Sequence, residues 1–509
     1  MMTTSTSVQI DVKAQVNHAP ALAVLLPEGA KDAGAAGKLL AAEQRRAVER
    51  LLGSGVSRGK EREVHFDLLE KAGKYRRVFV AGLGDAGKIT LETLRQVSAA
   101  LARASAKQRV GELCVVLPAV RGIDPAAAAE AIVCGFLLAS FNFRECKGTA
   151  GKDDEAGKGA RLTLIAGDDL AAARSGAERG RIIADAQNLA RTVGSRPGNS
   201  VNPPVLADIA RKLAREVGLN CRVYDQNEMA RLGLGGILAV GGGSATPPRL
   251  IVLEYKPKSG RQKNAPPLLV VGKAITFDAG GISIKPADRM GLMIYDKCGA
   301  MAVLGLMYAA AKLELPVPIV GVLSAAENTL DSKAFRPGDI LRMYNGVTVE
   351  ITSTDAEGRL VLGDALAWGI EKYRPRAVVD LATLTDSVVT ALGRTIAGLL
   401  CNNDELAAEL GKAARISGEK FWRLPMTDEH REQLKANHAD IVNGAGREAG
   451  PSTAAAFIGH FVPRDGSVPW AHLDIAGVAN TEKELPYYAK GPTGWGVRTL
   501  IEWVAMRAG

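Results

Sequence analysis

The sequence predicts an α/β fold in which a small N-terminal α/β domain is joined by a helix to a larger C-terminal α/β/α domain with a central mixed sheet. Short apolar runs of strand length alternate with Ala-, Leu-, Glu- and Arg-rich helical stretches, which is typical of βαβ units. The chain has 509 residues, whereas a single core stops growing at about 250–300 residues. We therefore expect an N-terminal domain over residues 1–170 and a C-terminal domain over 195–509, with the connecting helix over 171–194.

Four apolar runs predict the strands of the first domain: Ala21–Pro27, Arg77–Ala81, Leu113–Pro118 and Leu162–Ala166. A helical composition over Leu39–Leu52 predicts a helix between the first two strands. The segment Gly82–Gly87 (GLGDAG) matches the dinucleotide-binding pattern GxGxxG, but no acidic residue follows at a strand end about twenty residues later, so we interpret it as a tight turn. The polar, glycine-rich segment Lys147–Gly159 predicts a surface loop.

The connecting helix and the second domain follow from the same patterns. Residues 171–193 keep a helical pattern with few breakers, and Asn202 precedes two prolines, so we expect Asn202 to cap a helix over Val205–Val217. Four further apolar runs predict strands: Leu250–Tyr255, Leu268–Val271, Ile319–Ser324 and Ala377–Leu381. Helical stretches flank each run, so we expect a mixed or largely parallel sheet with helices on both faces.

Composition and charge are those of a globular protein. Apolar residues make up 47% of the chain, charged residues 23%, and the net charge is +9. The positive excess is spread thinly, with no block of about five or six like charges. A mildly basic surface is therefore favoured over a nucleic-acid-binding surface.

Targeting and redox signals favour the cytoplasm. The first residues, MMTTSTSVQIDVKAQV, lack the basic head and apolar core of a signal peptide, and no unbroken run of about 18 apolar residues occurs. The six cysteines form no Cys-x-x-Cys pair, which argues against a zinc ribbon or a redox motif and suits a reducing compartment. We therefore expect a cytoplasmic protein without a membrane partner.

Two stretches of the second domain concentrate charge among glycines and small residues. They are Val271–Asp296 (VGKAITFDAGGISIKPADRMGLMIYD) and Ser353–Leu360 (STDAEGRL), and their charged residues of interest are Asp278, Asp296, Asp355, Glu357, Lys273, Lys285 and Arg359. The apolar run of the first stretch predicts a buried strand that ends at Gly272, with Lys273 and Asp278 in the following loop. In open α/β sheets, ligands bind outside the carboxyl ends of the strands.

The spacing within STDAEGRL favours a metal site. If this piece is extended, Asp355, Glu357 and Arg359 point to one side, because alternate residues of a strand share a face. Converging carboxylates with no histidine nearby suit hard divalent ions, and two bridged ions about 3.5–4 Å apart activate a water and polarise a carbonyl. Asp296 precedes a helical stretch, Lys297–Leu313, so capping that helix is its alternative role.

Other hydrolase signatures are absent or misplaced. None of the six histidines forms His-x-x-x-His, which excludes a thermolysin-like zinc site. One Gly-x-Ser-x-Gly match, Gly55–Gly59, follows a helical stretch instead of a strand and so lacks the geometry of a nucleophile elbow. The acidic cluster is the strongest candidate for chemistry.

Further segments of the second domain occur together with the two charged stretches. They are Asn328–Asp339 (NTLDSKAFRPGD), Asp380–Thr385 (DLATLT), the run from Gly446 (GREAGPSTAAAFIGHF), His472–Gly477 (HLDIAG) and the run from Gly491 (GPTGWGVRTL). In their order and spacing, over roughly the C-terminal half of the chain, these segments resemble the cytosol, or leucyl, aminopeptidase family. STDAEGRL after KAITFDAGG is the specific signal.

The resemblance implies a role for each charged residue. Two zinc ions, or substitutes such as manganese, would be bound by Lys273, Asp278, Asp296, Asp355 and Glu357. The ammonium group of Lys285 would stabilise the developing oxyanion, and Arg359 would hold a bicarbonate that acts as general base. A lysine ligates a metal only as the neutral amine, and adjacent dications lower the pKa of its ammonium form.

The resemblance also implies a pocket for the substrate's first side chain, lined by Met293, Thr383 and the residue at position 386. Asp386 stands where the family usually has Gly, so a carboxylate in the pocket would change which first residue is accepted. The alternative is that Asp386 points to solvent or caps a helix that begins at Ser387. Ser353 stands where the family usually has Asn, which predicts the loss of a hydrogen bond there.

Together these residues predict a metal-dependent aminopeptidase that releases N-terminal amino acids, leucine-like but with broad specificity, from peptides. The resemblance further implies a homohexamer built as a dimer of trimers. Some bacterial members of the family also bind DNA, so the alternative is the same scaffold with an additional DNA-binding regulatory role. A catalytically dead homologue is disfavoured, because every predicted metal ligand is present.

Overall fold

The structure is a computed structural model that describes residues 8–15, 19–71, 74–149 and 160–508. The described chain divides into two compact units, one of residues up to 188 with 483–490 and one of residues 189–482 with 491–508. Each unit contains its own sheet and helices. The predicted fold class, a small α/β domain and a larger one with a mixed sheet, is confirmed.

The N-terminal unit is built on six strands. They are β1 (Gln9–Lys13), β2 (Ala21–Leu26), β3 (Val64–Lys71), β4 (Lys74–Gly82), β5 (Glu112–Val116) and β6 (Arg161–Ile165). Their order in the sheet is β1-β6-β5-β2-β4-β3, and all neighbours pair in parallel except β3, which is antiparallel to β4. The four predicted strands are the interior ones. The two that the apolar pattern missed, β1 and β3, are the edge strands, where charged residues are tolerated.

Four helices accompany this sheet: α1 (Ala42–Gly53), α2 (Leu91–Lys107), α3 (Pro125–Ala139) and α4 (Leu170–Ser195). Thr90 caps α2 by accepting a hydrogen bond from the backbone N–H of Thr93 at 3.2 Å. The turn Gly82–Gly87 therefore does not open α2, as a dinucleotide-binding turn would. The division between the two units falls inside α4. Of the predicted loop Lys147–Gly159, residues 150–159 lie outside the described part of the chain.

The C-terminal unit contains thirteen strands in its described residues. They are β7 (Asn220–Tyr224), β8 (Arg249–Tyr255), β9 (Leu268–Asp278), β10 (Ile319–Asn328), β11 (Ile340–Arg342), β12 (Thr348–Glu350), β13 (Ala377–Ala382), β14 (Ala397–Cys401), β15 (Phe421–Arg423), β16 (Ile441–Val442), β17 (Trp470–Asp474), β18 (Asn480–Thr481) and β19 (Gly491–Pro492). Eight of them form the main sheet, in the order β15-β14-β17-β13-β9-β10-β8-β7. The central strands β17, β13, β9 and β10 are parallel, whereas β8 is antiparallel to β10 and β14 is antiparallel to β17.

The helices of this unit are α5 (Pro203–Val217), α6 (Gln226–Leu232), α7 (Gly235–Gly241), α8 (Cys298–Lys312), α9 (Gly358–Tyr373), α10 (Asp386–Leu392), α11 (Asp404–Ser417), α12 (Asp428–Glu432), α13 (Gly450–Ile458) and α14 (Val497–Ala505). Asn202 caps α5, as predicted, because its side chain accepts a hydrogen bond from the N–H of Val205 at 3.0 Å. Helices α8 and α9 both pack on β9 and β10, and the core of buried apolar residues continues from these strands into α9.

Helix α8 rests directly on the sheet. A Cβ atom on Gly299 would lie 2.1 Å from the carbonyl oxygen of Leu381 in β13, so only glycine permits this approach. The stretch Met290–Lys312, which includes α8, has the length and apolar composition of a membrane span, but 67% of its apolar window is buried in the protein. Burial of that kind is typical of a core helix.

We expect Gly299→Ala to destabilise the protein by about 1–3 kcal/mol, because the added methyl group overlaps a backbone atom that cannot rotate away. Urea unfolding measures this loss. Gly53→Ala at the end of α1 is the matched control, since a Cβ there meets nothing within 4 Å. Equal stability of Gly299→Ala and the native chain would contradict the close packing of α8.

Candidate active site

The charged residues gather at the carboxyl edge of the central parallel strands. Strand β9 ends at Asp278, β10 ends at Asn328 and β17 ends at Asp474, while Thr383 follows the last residue of β13. The sequence predicted that β9 would end at Gly272, and this is wrong. Its pairing with β10 continues to Asp278, across an irregularity between Ala326 and Asn328, so the strand carries polar residues at its far end.

Lys273 forms the enclosed side of the cluster. Its Nζ donates to Oδ1 of Asp296 at 2.9 Å and to the carbonyl oxygen of Thr383 at 2.9 Å, and it lies 2.8 Å from Oε1 of Glu357. The side chain is 4% exposed. Burial alone would lower the pKa of this ammonium group, but the carboxylates of Asp296, Glu357 and Asp278 outweigh burial and raise it. Lys273 is therefore a buried cation among acids.

Asp296 faces this cluster and does not cap α8. The residue at the cap position is Lys297, and no side chain caps the helix there, so the capping alternative is wrong. Oδ1 of Asp296 instead accepts a hydrogen bond from Oγ1 of Thr383 at 2.7 Å. Burial raises the pKa of Asp296 to about 8. The nearby carboxylates of Glu357 and Asp278 add to this effect, and the ammonium group of Lys273 opposes it. Its buried Oδ2 forms an ion pair with Nζ of Lys273 at 2.9 Å.

Lys285 forms the open side of the cluster. Its Nζ lies 2.9 Å from Oδ2 of Asp278 and also contacts Oδ1 of Asp355. The side chains of Lys285 and Asp355 are 20% and 35% exposed. Asp278 is buried, but Lys285 and Lys273 lower its pKa, and Asn328 Nδ2 donates to its Oδ1 at 2.8 Å. Partial burial together with Glu357 raises the pKa of Asp355 to about 7. Solvent, and hence a ligand, reaches the cluster from this side.

The STDAEGRL segment is not extended. The prediction that its charged side chains converge because alternate residues of a strand share a face is therefore wrong. Residues 353–357 form a turn, and α9 begins at Gly358 directly after Glu357. The turn nevertheless brings Asp355 and Glu357 together with Asp278, because one ligand oxygen from each lies within 4.8 Å of the others. Ser353 keeps a local hydrogen bond, since its Oγ accepts from the N–H of Asp355 at 3.2 Å.

Arg359, in the first turn of α9, is half-buried beside the cluster. Its NH1 group donates to the carbonyl oxygen of Asn443 at 2.7 Å, and its buried Nε has no hydrogen-bond partner among the described residues. Burial lowers the pKa of the guanidinium to about 10, against the opposing charges of Glu357 and Asp474. Arg359 thus keeps a donor available in a low-dielectric site.

The three predicted pocket residues lie near the same edge of the sheet. Met293 is half-buried in a short 3-10 helix, and its carbonyl oxygen accepts from the N–H of Asp296 at 3.2 Å. Thr383 contacts Asp296, as described above. Asp386 is exposed and is the first residue of α10, but Thr385 caps that helix by accepting from the N–H of Val388 at 3.2 Å. Asp386 is thus exposed to solvent, as one form of the alternative predicted, whereas the other form, helix capping, is wrong.

The chemistry of the donor set fits divalent cations. Four carboxylates converge with two ammonium groups, which leaves a formal charge of −2 when all are ionised. Buried charge in excess of its partners is costly unless a cation neutralises it. Oδ2 of Asp296 is buried and faces Nζ of Lys273 at 2.9 Å, so a metal bound there would take the place of that positive charge. Carboxylate oxygens grouped in this way suit manganese, and zinc also accepts carboxylate ligands.

Sequence reasoning assigned no role to several neutral residues that hold the acids. Asn328 bridges Asp278 and the carbonyl oxygen of Thr354, and Oγ1 of Thr354 donates to the carbonyl oxygen of Gly280 at 2.6 Å. Asn443 contacts both the turn and Arg359. The one available signal was an amide placed beside apolar residues and glycines, as in Ile-Val-Asn443-Gly, which indicates a buried and therefore hydrogen-bonded amide.

Comparison with known proteins matches both units. Residues 188–501 match the family described as "Cytosol aminopeptidase family, catalytic domain", and residues 23–149 match "Cytosol aminopeptidase family, N-terminal domain". A "Probable cytosol aminopeptidase" of Solibacter usitatus is 41% identical over 494 residues, 96% of this chain and 97% of the relative. One of Aquifex aeolicus is 42% identical over 428 residues, 84% of each chain.

A solved structure is similar to the whole chain. It is the "Bottromycin maturation enzyme BotP in complex with Mn", with a TM-score of 0.84 and 34% sequence identity over 97% of this chain and 100% of that chain. The similarity therefore covers both units.

Gly358 leaves the space that the amine of Lys273 occupies. A Cβ there would lie 2.7 Å from Cε and 2.8 Å from Nζ of Lys273. We expect Gly358→Ala to destabilise the chelator-treated protein, because displacing the amine leaves buried carboxylates unpaired. In a Lys273→Ala background the same change should cost much less, a coupling of about 1 kcal/mol or more by urea unfolding.

Gly411→Ala in α11 is the control for adding alanine to a helix, since its nearest neighbour would be the end of Arg415 at 3.7 Å. Additive effects of Gly358→Ala and Lys273→Ala would show that the glycine does not serve the lysine.

Proposed function

The chain belongs to the cytosol aminopeptidase family, and from that premise we propose that it is a metal-dependent aminopeptidase that removes N-terminal residues from peptides. The observation that carries this proposal is the convergence of Asp278, Asp355 and Glu357 on one point, with Lys273 and Lys285 beside them. Such a cluster is open to solvent on one side and closed on the other, which suits a substrate that enters by its end.

The metal ligands in this proposal are the five residues of the cluster other than Lys285, namely Lys273, Asp278, Asp296, Asp355 and Glu357. Two divalent ions, zinc or manganese, would supply Lewis-acid polarisation of the scissile carbonyl and activation of a water. The similar bottromycin maturation enzyme forms a complex with Mn, which supports a divalent ion here. Lys273 takes part as the neutral amine, since bound dications disfavour its ammonium form.

Two basic residues would act on the substrate side. The ammonium group of Lys285 lies at the open side between Asp278 and Asp355, whose charges hold it protonated. From there it can donate to an oxygen that gains negative charge as a carbonyl is attacked. Arg359 offers an unused buried donor, Nε, to an anion, and bicarbonate as general base is the candidate.

The finer properties rest on the family and on the names of the relatives. A leucine-like but broad preference, peptide substrates and a homohexamer follow from the family resemblance. A cytoplasmic location is supported by the naming of the relatives as cytosol aminopeptidases. Thr383 lines the pocket in this proposal, with its hydroxyl bonded to Asp296 and its carbonyl oxygen bonded to Nζ of Lys273.

Glu357→Ala tests the proposal. Because Glu357 contacts Lys273 and converges with the other acids, we expect the variant to lose peptide hydrolysis and to bind less metal while remaining folded. Hydrolysis of aminoacyl-anilides with and without Mn²⁺ after chelation, together with bound metal by elemental analysis, measures both.

Glu409→Ala is the control, since Glu409 contacts Trp503 and Arg507 away from the cluster and should be dispensable for hydrolysis. Full activity of Glu357→Ala with native metal content would refute the assignment.

Asp386 carries the prediction about specificity. If its carboxylate reaches the first side chain of the substrate, a Lys or Arg substrate gains an ion pair that Asp386→Gly removes. Because Asp386 is exposed, solvent screens the pair, and we expect the Lys-to-Leu ratio of kcat/KM to fall about fivefold, less than for a desolvated pair.

The control is Asp404→Gly, which removes an acid from the same first position of α11. An unchanged Lys-to-Leu ratio in Asp386→Gly would exclude Asp386 from the pocket.

A further inference from the structure

Asn443 lies where two strands of a small sheet separate. Strand β16 ends at Val442 and pairs in parallel with β12, so that Val442 is level with Glu350. The N–H of Asn443 continues this pairing by donating to the carbonyl oxygen of Glu350 at 3.1 Å. Beyond that point the β12 chain leads into the turn that carries Asp355 and Glu357. The side chain of Asn443 is fully buried at the base of the turn.

The side-chain amide of Asn443 takes over where backbone pairing stops. Its Oδ1 accepts from the N–H and Oγ1 of Thr352 at 2.8 and 3.1 Å and from the N–H of Ser353 at 3.3 Å. Its Nδ2 donates to the carbonyl oxygen of Ser353 at 2.7 Å. Four hydrogen bonds thus attach a single buried amide to two consecutive residues, which satisfies backbone groups that a turn would otherwise leave unpaired.

The same residue also holds the chain after the turn. Its carbonyl oxygen accepts from NH1 of Arg359 at 2.7 Å. Asn443 therefore fastens the segment before Asp355 and the guanidinium two residues after Glu357. The contacts are to the backbone of Ser353 and not to its side chain, so the Ser at this position leaves them intact.

The turn has a second, independent attachment on its opposite side. Oγ1 of Thr354 accepts from the N–H of Ser283 at 2.8 Å, and the N–H of Thr354 donates to Oγ of Ser283 at 3.1 Å. Loss of the Asn443 side chain would leave this attachment in place. The turn would then stay in the fold but could shift relative to Asp278.

We propose that Asn443 is a positioning residue for the metal-binding turn: its side-chain amide, through Thr352 and Ser353, sets the placement of Asp355 and Glu357. This inference rests on the proposed function of the cluster. The amide carries no charge, so it orients the acids without neutralising them. Removing a partner that orients metal ligands typically costs about 10–100-fold in metal affinity or activity.

The experiment compares Asn443→Ala with Thr352→Val, which removes one of the four bonds to the amide together with the bond from Oγ1 of Thr352 to the carbonyl oxygen of Gly444. For each variant we would measure Mn²⁺ affinity by competition with a chelator, kcat and KM at saturating Mn²⁺, and Tm. We expect Asn443→Ala to lose about 10–100-fold in Mn²⁺ affinity or kcat, with KM little changed, and Thr352→Val to show a smaller loss in the same quantity.

Asn188→Ala is the control, since Asn188 is also fully buried and donates to the carbonyl oxygen of Leu137 in the N-terminal unit. A merely structural role predicts that Asn443→Ala lowers Tm, as Asn188→Ala does, without changing Mn²⁺ affinity or kcat below Tm, and this result would overturn the proposal. If Asn443→Ala does not fold, native Mn²⁺ affinity and kcat in Thr352→Val would overturn it.

Different results would contradict the proposed function of the cluster and the proposed role of Asn443. If Glu357→Ala keeps metal and activity, the proposed function of the cluster fails, and the role of Asn443 fails with it. If Glu357→Ala loses both while Asn443→Ala and Thr352→Val match the native protein, only the role of Asn443 fails.

Discussion

The C-terminal unit is organised around an excess of buried negative charge at the carboxyl edge of its central strands. Carboxylates brought this close repel one another and lose hydration, so they stay ionised only with cations between them. Lys273 supplies one cation on the closed side and Lys285 another on the open side. Strand β9 carries both Lys273 and Asp278, so the long pairing of β9 with β10 is the structural condition for the cluster.

Neutral groups do most of the orienting. Asn328 and the N–H of Gly280 hold Asp278, and the hydroxyl of Thr383 holds Asp296. Hydrogen bonds from neutral donors stabilise a carboxylate without cancelling its charge, so the negative excess remains available to added cations. A site with additional arginines in these positions would be more stable alone and less able to bind metal.

Several sequence predictions failed for one physical reason, namely that local pattern does not report pairing partners. Strand β9 was expected to stop at Gly272 because polar residues follow, yet β10 continues beside it to Asp278. The turn before α9 was expected to be extended because its charges alternate, yet Asn443 and Thr354 bend it. Asp296 lies two residues before α8 and Asp386 is the first residue of α10, so neither occupies the N-terminal cap position.

The sequence by itself determined the α/β class, the interior strands of the N-terminal sheet, four strands of the main C-terminal sheet, the cap at Asn202 and the set of charged residues, because apolar runs, prolines and motif spacing are properties of the chain alone. Tertiary structure decided how those charges meet. Lys273 reaches Glu357 only because Gly358 leaves space between β9 and α9, 85 residues apart in the chain. Asn443 reaches the turn only because β12 and β16 pair. Contacts between distant segments depend on packing, which no local pattern encodes.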